Sequence, residues 1–228
     1  MSNARNLADG ESRFVNTAGD TMTGNLIVDG NVGIGGAGPS TNKLHIESAG
    51  ATRAVVYNSS NVVGVRIQAE TGSGLIQTDT NHPLRFATNN GAVQMQIDTA
   101  GRVTMPYQPA FTVTHSSNAT LSGTIILDTP TLNIGGCYNT SNGRFTAPVG
   151  GSYYFIFATI VGNSGDFAVR LMRNGSVLTG VGYASNGAND TGVVAKVIYL
   201  DAGDYINISL SSGDMEAQHT SFCGYLIG

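Results

Sequence analysis

Along most of this chain apolar residues recur at every second position, and Gly- or Asn-bearing turns cut the runs short. Phe167, Val169 and Leu171 alternate with Ala168, Arg170 and Met172; Val193, Ala195, Val197 and Tyr199 share one parity, as do Ile206, Ile208 and Leu210. A period of two sends alternate side chains to opposite faces, so these runs predict half-buried strands and not helices. Tyr153–Val161 is the exception: it is apolar on both faces and reads as a central strand covered on each side. Asn174-Gly175, standing between two alternating runs, is a hairpin signal because Gly supplies positive φ and Asn tolerates it. Ala110–Thr114, Thr124–Leu127 and Val177–Val181 are shorter β-branched stretches, and Phe222, Gly224 and Leu226 form a closing strand with Tyr225 and Ile227 opposite. About eight to ten strands with regular turns and almost no helical period predict an all-β sandwich or jelly roll for residues 106–228.

The first half reads differently. Residues 1–19 are polar and aperiodic, with Leu7, Phe14 and Val15 as isolated anchors, and are taken as an attachment segment. From residue 20 short strands follow one another between Gly turns. Leu26, Val28, Val32 and Ile34 share a parity around Asp29-Gly30, which predicts a hairpin. Leu44 with Ile46, and Val63, Val65 and Ile67, keep the two-residue period. Gln96–Pro106 repeats the scheme of strand, acidic turn and strand, with Met95 and Ile97 facing Val103 and Met105 across Asp98–Gly101. Charged residues are only 11% of the chain against roughly 25% in ordinary soluble domains, while Gly numbers 31. Thin ribbons with one apolar face are marginal alone, and burying that face against identical ribbons about a three-fold axis removes the exposed stripe. Residues 20–105 are therefore expected to form a trimeric β shaft. The prolines of Met105-Pro-Tyr-Gln-Pro-Ala110 mark a stiff joint to the following domain.

Charge and composition exclude several classes of function. The net charge is −4 and the basic residues fall singly, so no patch exists to neutralise a run of phosphates. No apolar run reaches the roughly 18–20 residues of a membrane span. Met1-Ser-Asn-Ala-Arg-Asn6 lacks the apolar core of an export signal, which implies synthesis in a cytoplasm and release by lysis. That compartment predicts reduced thiols at Cys137 and Cys223. His45, His82, His115 and His219 are scattered, and none has a ligand partner at metal-binding spacing.

Two stretches resemble known families. Phe145-Thr-Ala-Pro-Val-Gly-Gly-Ser-Tyr-Tyr-Phe155, then Asn174-Gly175, then Leu200-Asp-Ala-Gly-Asp204, then Phe222-Cys-Gly-Tyr-Leu-Ile-Gly228 follow the order of landmarks in the complement C1q-like globular head family. That resemblance implies a trimeric, TNF-like jelly roll used for binding. It casts Phe145, Tyr153 and Phe155 as core, and Pro148 and Gly151 as shapers of the turn before the long strand, Gly151 through positive φ. Gly203 and Asp204 become the turn before the penultimate strand, and Phe222 and Gly224 part of the last, with Gly224 admitting a neighbouring backbone near the three-fold axis. Gly19-Asp-Thr-Met-Thr-Gly-Asn-Leu26 and Gly30-Asn-Val-Gly-Ile-Gly35 resemble shaft segments of bacteriophage tail fibres. Together the resemblances imply a virion fibre, made in the host cytoplasm, whose trimeric head binds a host-surface glycan or protein while its N-terminus joins other tail or baseplate proteins. Two alternatives stand beside it: a structural fibre or baseplate component whose head only trimerises and caps, and a polysaccharide-cleaving spike.

Catalysis finds little support. Glycan hydrolysis needs two positioned carboxylates, and Asp166, Asp190, Asp214 and Glu216 sit in Gly-rich stretches where Asp serves turns. No catalytic residue and no cofactor is expected. Asp214 and Glu216 are the one candidate pair for Ca²⁺, and two acids fall short of its six to eight oxygens unless several chains contribute. Binding is assigned to the loops Ser164-Gly165, Gly180–Asp190 and Ser211–Thr220, where Tyr183, Asn186, Asn189, Asp190 and Gln218 offer stacking and hydrogen-bonding groups suited to sugar.

Overall fold

The computed structural model describes residues 32–35, 44–47, 50–89, 91–117, 120–161, 167–184 and 191–228. The chain divides into two compact units, Met1–His82 and Pro83–Gly228. Residues 1–19, and the first arm and turn of the hairpin expected at Asp29-Gly30, lie outside the described residues.

In the first unit β1 (Val32–Gly35) pairs in parallel with β2 (Leu44–Glu47), Val32 opposite Leu44 and Ile34 opposite Ile46. Next, β3 (Thr52–Asn58), β4 (Val63–Glu70) and β5 (Ser73–Thr78) form an antiparallel meander. The second unit opens with another meander, β6 (Leu84–Ala87), β7 (Val93–Ile97) and β8 (Val103–Thr104). The acidic turn between β7 and β8 is present as expected. Asp98 Oδ1 accepts hydrogen bonds from the backbone N–H groups of Ala100 and Arg102, both at 2.9 Å, and Oδ2 accepts one from Arg102 Nε at 2.7 Å.

The sandwich follows, in β9 (Ala110–Thr114), β10 (Thr120–Ile125), β11 (Thr129–Ile134), β12 (Tyr138–Asn139), β13 (Arg144–Thr146), β14 (Gly151–Val161), β15 (Phe167–Arg173), β16 (Ser176–Ala184), β17 (Thr191–Leu200) and β18 (Tyr205–Leu226). The last strand belongs to both layers. Its residues 221–225 lie between β9 and β14, and 215–216 between β10 and β14, giving a first sheet in the order β11-β9-β18-β14-β17. Its residues 205–212 lie between β15 on one side and β10 and β13 on the other, with β16 beyond β15 and β12 beyond β13. The Asn174-Gly175 hairpin between β15 and β16 forms as expected, with φ of 50° and 80° at its two central residues.

Alternation along the strands fills the space between the layers. Phe111, Val113, Phe145, Tyr153, Phe155, Phe157, Val169, Leu171, Ile206, Ile208 and Phe222 are buried. Their rings interlock: Phe111 stacks on Tyr138 and Phe145 at 5.1 and 5.2 Å between centroids and meets Phe222 edge-on at 4.9 Å. Phe145 also meets Phe155 edge-on at 5.1 Å. The Tyr138 hydroxyl accepts a hydrogen bond from Leu127 N–H at 3.3 Å, and burial pushes its pKa up to about 12.

Two glycines have roles other than those expected. Gly224 makes room for side chains and not for a second backbone: a Cβ there would lie 2.6 Å from Phe155 Cδ1 and 2.7 Å from Phe111 Cε1. Gly151 is absent from the residues of positive φ. It matters through space instead, since a Cβ would meet Leu226 Cδ1 at 2.7 Å and the Gly228 carbonyl oxygen at 3.2 Å. Two packed phenyl rings cannot both retreat without disturbing the core, so Gly224→Ala is expected to lose about 1–3 kcal/mol in urea titration. A midpoint equal to that of the unsubstituted chain would contradict this packing.

Candidate functional site

Strand register defines the two ends of the sandwich. At one end the chain enters and leaves: Leu226 N–H donates to Pro109 O at 3.0 Å, and Ser152 N–H to Gly228 O at 2.8 Å. The Asn174-Gly175 hairpin and the Asp201–Asp204 turn lie at this same end, since Arg173 faces Ile206 and Leu200 faces Gly151. At the other end Ile160 faces both Thr191 and Glu216, Phe167 faces Ala184, and Ala168 faces Ser212. The last described residues of β14 and β16 and the middle of β18 therefore lie away from the point of entry, at the end of a rigid scaffold where recognition is commonly carried.

Of the expected recognition residues, Asn186, Asn189 and Asp190 lie outside the described residues, as does Asp166. Tyr183 is on β16 with its Cα opposite that of Ala168. Gln218 is exposed on β18, and Glu216 Oε2 stands 3.7 Å from His219 Nε2. Two supposed loops are strands. Gly180–Ala184 continues β16, and 211–220 lies within the unbroken β18, because Met215 and Glu216 find backbone partners on β10 and β14. Met215 and Ala217 are fully buried between exposed or half-exposed neighbours. That alternation was visible in Asp214-Met-Glu-Ala-Gln218 and would have revealed the strand. Beneath it, Thr220 Oγ1 donates to Glu216 O at 2.7 Å and lies 2.6 Å from Thr159 Oγ1, the two hydroxyls pairing out of solvent. With its own proton on the carbonyl, Thr220 accepts from Thr159.

Among the described residues no group of three or more His, Cys, Asp or Glu side chains stands close enough to hold a metal ion. Asp214 and Glu216 alone supply two carboxylates toward the six to eight oxygens of Ca²⁺. Both thiols are free; Cys137 is buried, with its Sγ 3.3 Å from Ile134 O, and burial pushes its pKa up.

The Asp204 carboxylate organises the end of chain entry. It accepts from Asn174 Nδ2 at 2.6 Å and from Asp201 N–H at 3.0 Å, and it pairs with the Arg173 guanidinium. Asn174 answers by accepting from Tyr205 N–H at 2.9 Å, while Ala147, next to the exposed Pro148, donates to Asp204 O and accepts from Gly203 N–H, both at 2.8 Å. Asp204 thus ties three turns together.

A second surface is the outer face of the first sheet. Tyr154, Ile156, Ala158 and Ile160 of β14 lie beside Val193, Ala195, Val197 and Tyr199 of β17 and Cys223 and Tyr225 of β18. Val197 is 56% exposed, Tyr199 61% and Tyr225 49%. No charged residue stands at any of these positions, nor at Ala110, Thr112 and Thr114, which continue the face onto β9; Glu216, opposite Ile160, borders it at the far end. Sequence reasoning treated β14 as covered on both sides, and within one chain this side is open.

Residues 110–227, just over half of the chain, match the C1q domain. The chain belongs to the C1q domain family. The chain spans about half the length of two curated relatives it matches: complement C1q tumor necrosis factor-related protein 3 of Mus musculus and of Homo sapiens, each 34% identical over 119 residues, which is 50% of this chain and 48% of the relative. Caprin-2 of Danio rerio is 32% identical over 127 residues, 52% of this chain and 14% of that protein. Among solved structures, the globular domain of zebrafish complement 1qA protein aligns with a TM-score of 0.45 and 23% identity, covering 53% of this chain and 98% of that one. C1q domains are ligand-binding or structural modules and not enzymes, and they form homotrimers. The expected virion location is corrected by these relatives, which are animal C1q-domain proteins and not virion components. The tail-fibre resemblance of the first half finds no support among them.

The Asp204 cluster makes a pH-dependent contribution to the stability of this C1q domain. The Asn174 amide first, then the Asp201 N–H and Arg173, hold the Asp204 carboxyl below its ordinary value of 3.8. A lowered folded pKa gives stability that is complete above 3.8 and lost as pH falls through the folded value. In thermal melts from neutral to strongly acidic pH, Asp204→Ala is expected to melt below the unsubstituted chain at neutral pH, with the gap narrowing in acid. A gap that stays constant would remove Asp204 from this role.

Proposed function

We propose that this chain is a homotrimeric binding protein, in which three C1q domains meet through the outer face of the first sheet and present their far ends to a multivalent ligand. The observation that carries the reading is the uncharged face of Tyr154, Ile156, Val197, Tyr199 and Tyr225. Contiguous apolar surface of this kind marks an interaction site, and cyclic closure buries it with no stripe left over. Tyr154 and Tyr225, with ring centroids 5.6 Å apart, offer a rigid aromatic anchor at its centre.

The ligand class we infer is a glycan displayed on a surface. Tyr183, Asn186, Asn189, Asp190 and Gln218 supply one ring for stacking and several amide and carboxylate groups for hydroxyls. Three sites on one axis strengthen weak contacts through effective concentration, by about 10²–10⁴.

Light scattering on the intact protein is expected to give three times the 23.6 kDa of one chain. A charge at the centre of the face must be desolvated without a partner, so Ile156→Asp is expected to release folded monomers; a trimer that persists would place the interface elsewhere. On a glycan array, the intact trimer is expected to bind, and the double variant Tyr183→Ala, Gln218→Ala to lose binding while remaining trimeric. A trimer that binds no glycan would leave the protein as a structural trimeriser.

A further inference from the structure

The meander β3–β4–β5 has its polarity inverted relative to its exposure. Register places Ala54 and Val56 of β3, Val65 and Ile67 of β4, and Ile76 of β5 on one face: Val56 lies opposite Val65, and Ile67 lies between Ala54 and Ile76. Val56 is 82% exposed, Ile67 62%, Ile76 58% and Val65 40%. The other face carries the charges, in Arg53, Arg66 and Glu70, together with Gln68, Gln77, Val55, Tyr57 and Leu75. That charged face is the better covered. Gln68 is buried and donates to Glu70 at 2.8 Å, Arg66 pairs with Asp79 at 2.8 Å, and the Tyr57 ring lies over Gly64, where a Cβ would meet its Cδ2 at 2.9 Å.

Water does not produce that arrangement in an isolated sheet, because transfer of apolar area from water is the main source of stability for so small a unit. The second meander also has an apolar face without charge, here half-buried at Leu84, Met95 and Ile97. Leu84, Phe86, Met95, Ile97 and Val103 share one face by register, with Phe86 45% and Val103 53% exposed. Arg85 and Gln96 hydrogen bond at 2.8 Å on the reverse. Two successive three-stranded sheets thus each offer an uncharged apolar face.

We infer that each meander buries its apolar face against the same meander of the two other chains of the trimer. This rests on the trimeric reading above. The occupant follows from three observations. A face without charge meets its own copies with no like-charge repulsion, whereas a charged partner finds no opposite charge there to recognise. The meanders are on the same polypeptide as a C1q domain, so trimerisation of that domain holds copies of them at an effective concentration of about millimolar. The same device recurs in two sheets of different sequence, which a single heterologous partner would not require.

Pyrene on a cysteine at position 56, in the full chain with Cys223→Ser, tests the face directly. Val56→Cys lies on the apolar face, and Ser73→Cys on β5 is the control on the opposite face. The expected result is a particle of three times 23.6 kDa with an excimer band from the label at 56 that disappears on mixing with excess unlabelled chain, and no such band from 73. A trimer showing no excimer at 56 overturns the inference and leaves the trimeric C1q domain standing; that is also the result if residues 1–49 of the same chain cover the face. A monomer overturns the trimeric reading and this inference with it. Ile67→Glu gives a second readout without a label. In the same trimer it is expected to raise amide exchange across residues 52–78, and exchange equal to that of Gln77→Glu on the opposite face would sink the inference.

Discussion

The rings of Phe111 and Phe155 close over Gly224, and both layers of the sandwich take their spacing from that contact. The residue is buried on the strand that runs through both sheets, with β9 on one side and β14 on the other. Phe111 comes from the first, Phe155 from the second, and Phe145 joins them from the opposing layer through β13. A side chain at 224 would force the rings outward and part the sheets. Close packing at a single hydrogen atom thus holds together strands more than a hundred residues apart in the chain.

The same packing settles what the outside of the first sheet can be. Once Tyr153, Phe155 and Phe157 fill the interior, the pleat sends Tyr154, Ile156 and Ala158 outward, and β17 places Ala195, Val197 and Tyr199 beside them. A soluble monomer would carry charge there. Its absence links the interior of one domain to association among several. The two meanders before the sandwich show the same economy: charges are gathered on one face and withheld from the other.

Much of the sandwich was legible because local signals and tertiary structure agree. Asn174-Gly175 turns as its φ preferences demand, and Asp201–Asp204 turns where short polar residues interrupt two apolar runs. What was not legible depends on non-local pairing. β11, with Thr129-Pro-Thr131 at its start, has the composition of a loop and is a strand because β9 offers it an edge. Ser211–Thr220 looks like a polar loop, yet Met215 and Ala217 give it an inside and β14 gives it partners. Gly151 and Gly224 were recognised as landmarks, but their reasons were hidden, since a neighbour's ring or methyl group is set by distant residues. Of the recognition residues, only Tyr183 and Gln218 are among those described, so the chemistry of the far end is carried by residue types and by the convergence of strands.

The central position of β18 also imposes an order in time. During synthesis β9 is the first strand of the sandwich to emerge, and its partner on one side, residues 221–225, is the last part of the sandwich to follow. Until then β9 and β14 each lack a hydrogen-bonding neighbour on one side, and the first sheet stays split between them. Long-range pairing of this kind is slow and leaves strand edges open to other chains. A ribosome that pauses or stops before residue 221 therefore releases an adhesive half-sandwich, and this domain becomes safe from aggregation only with its final strand.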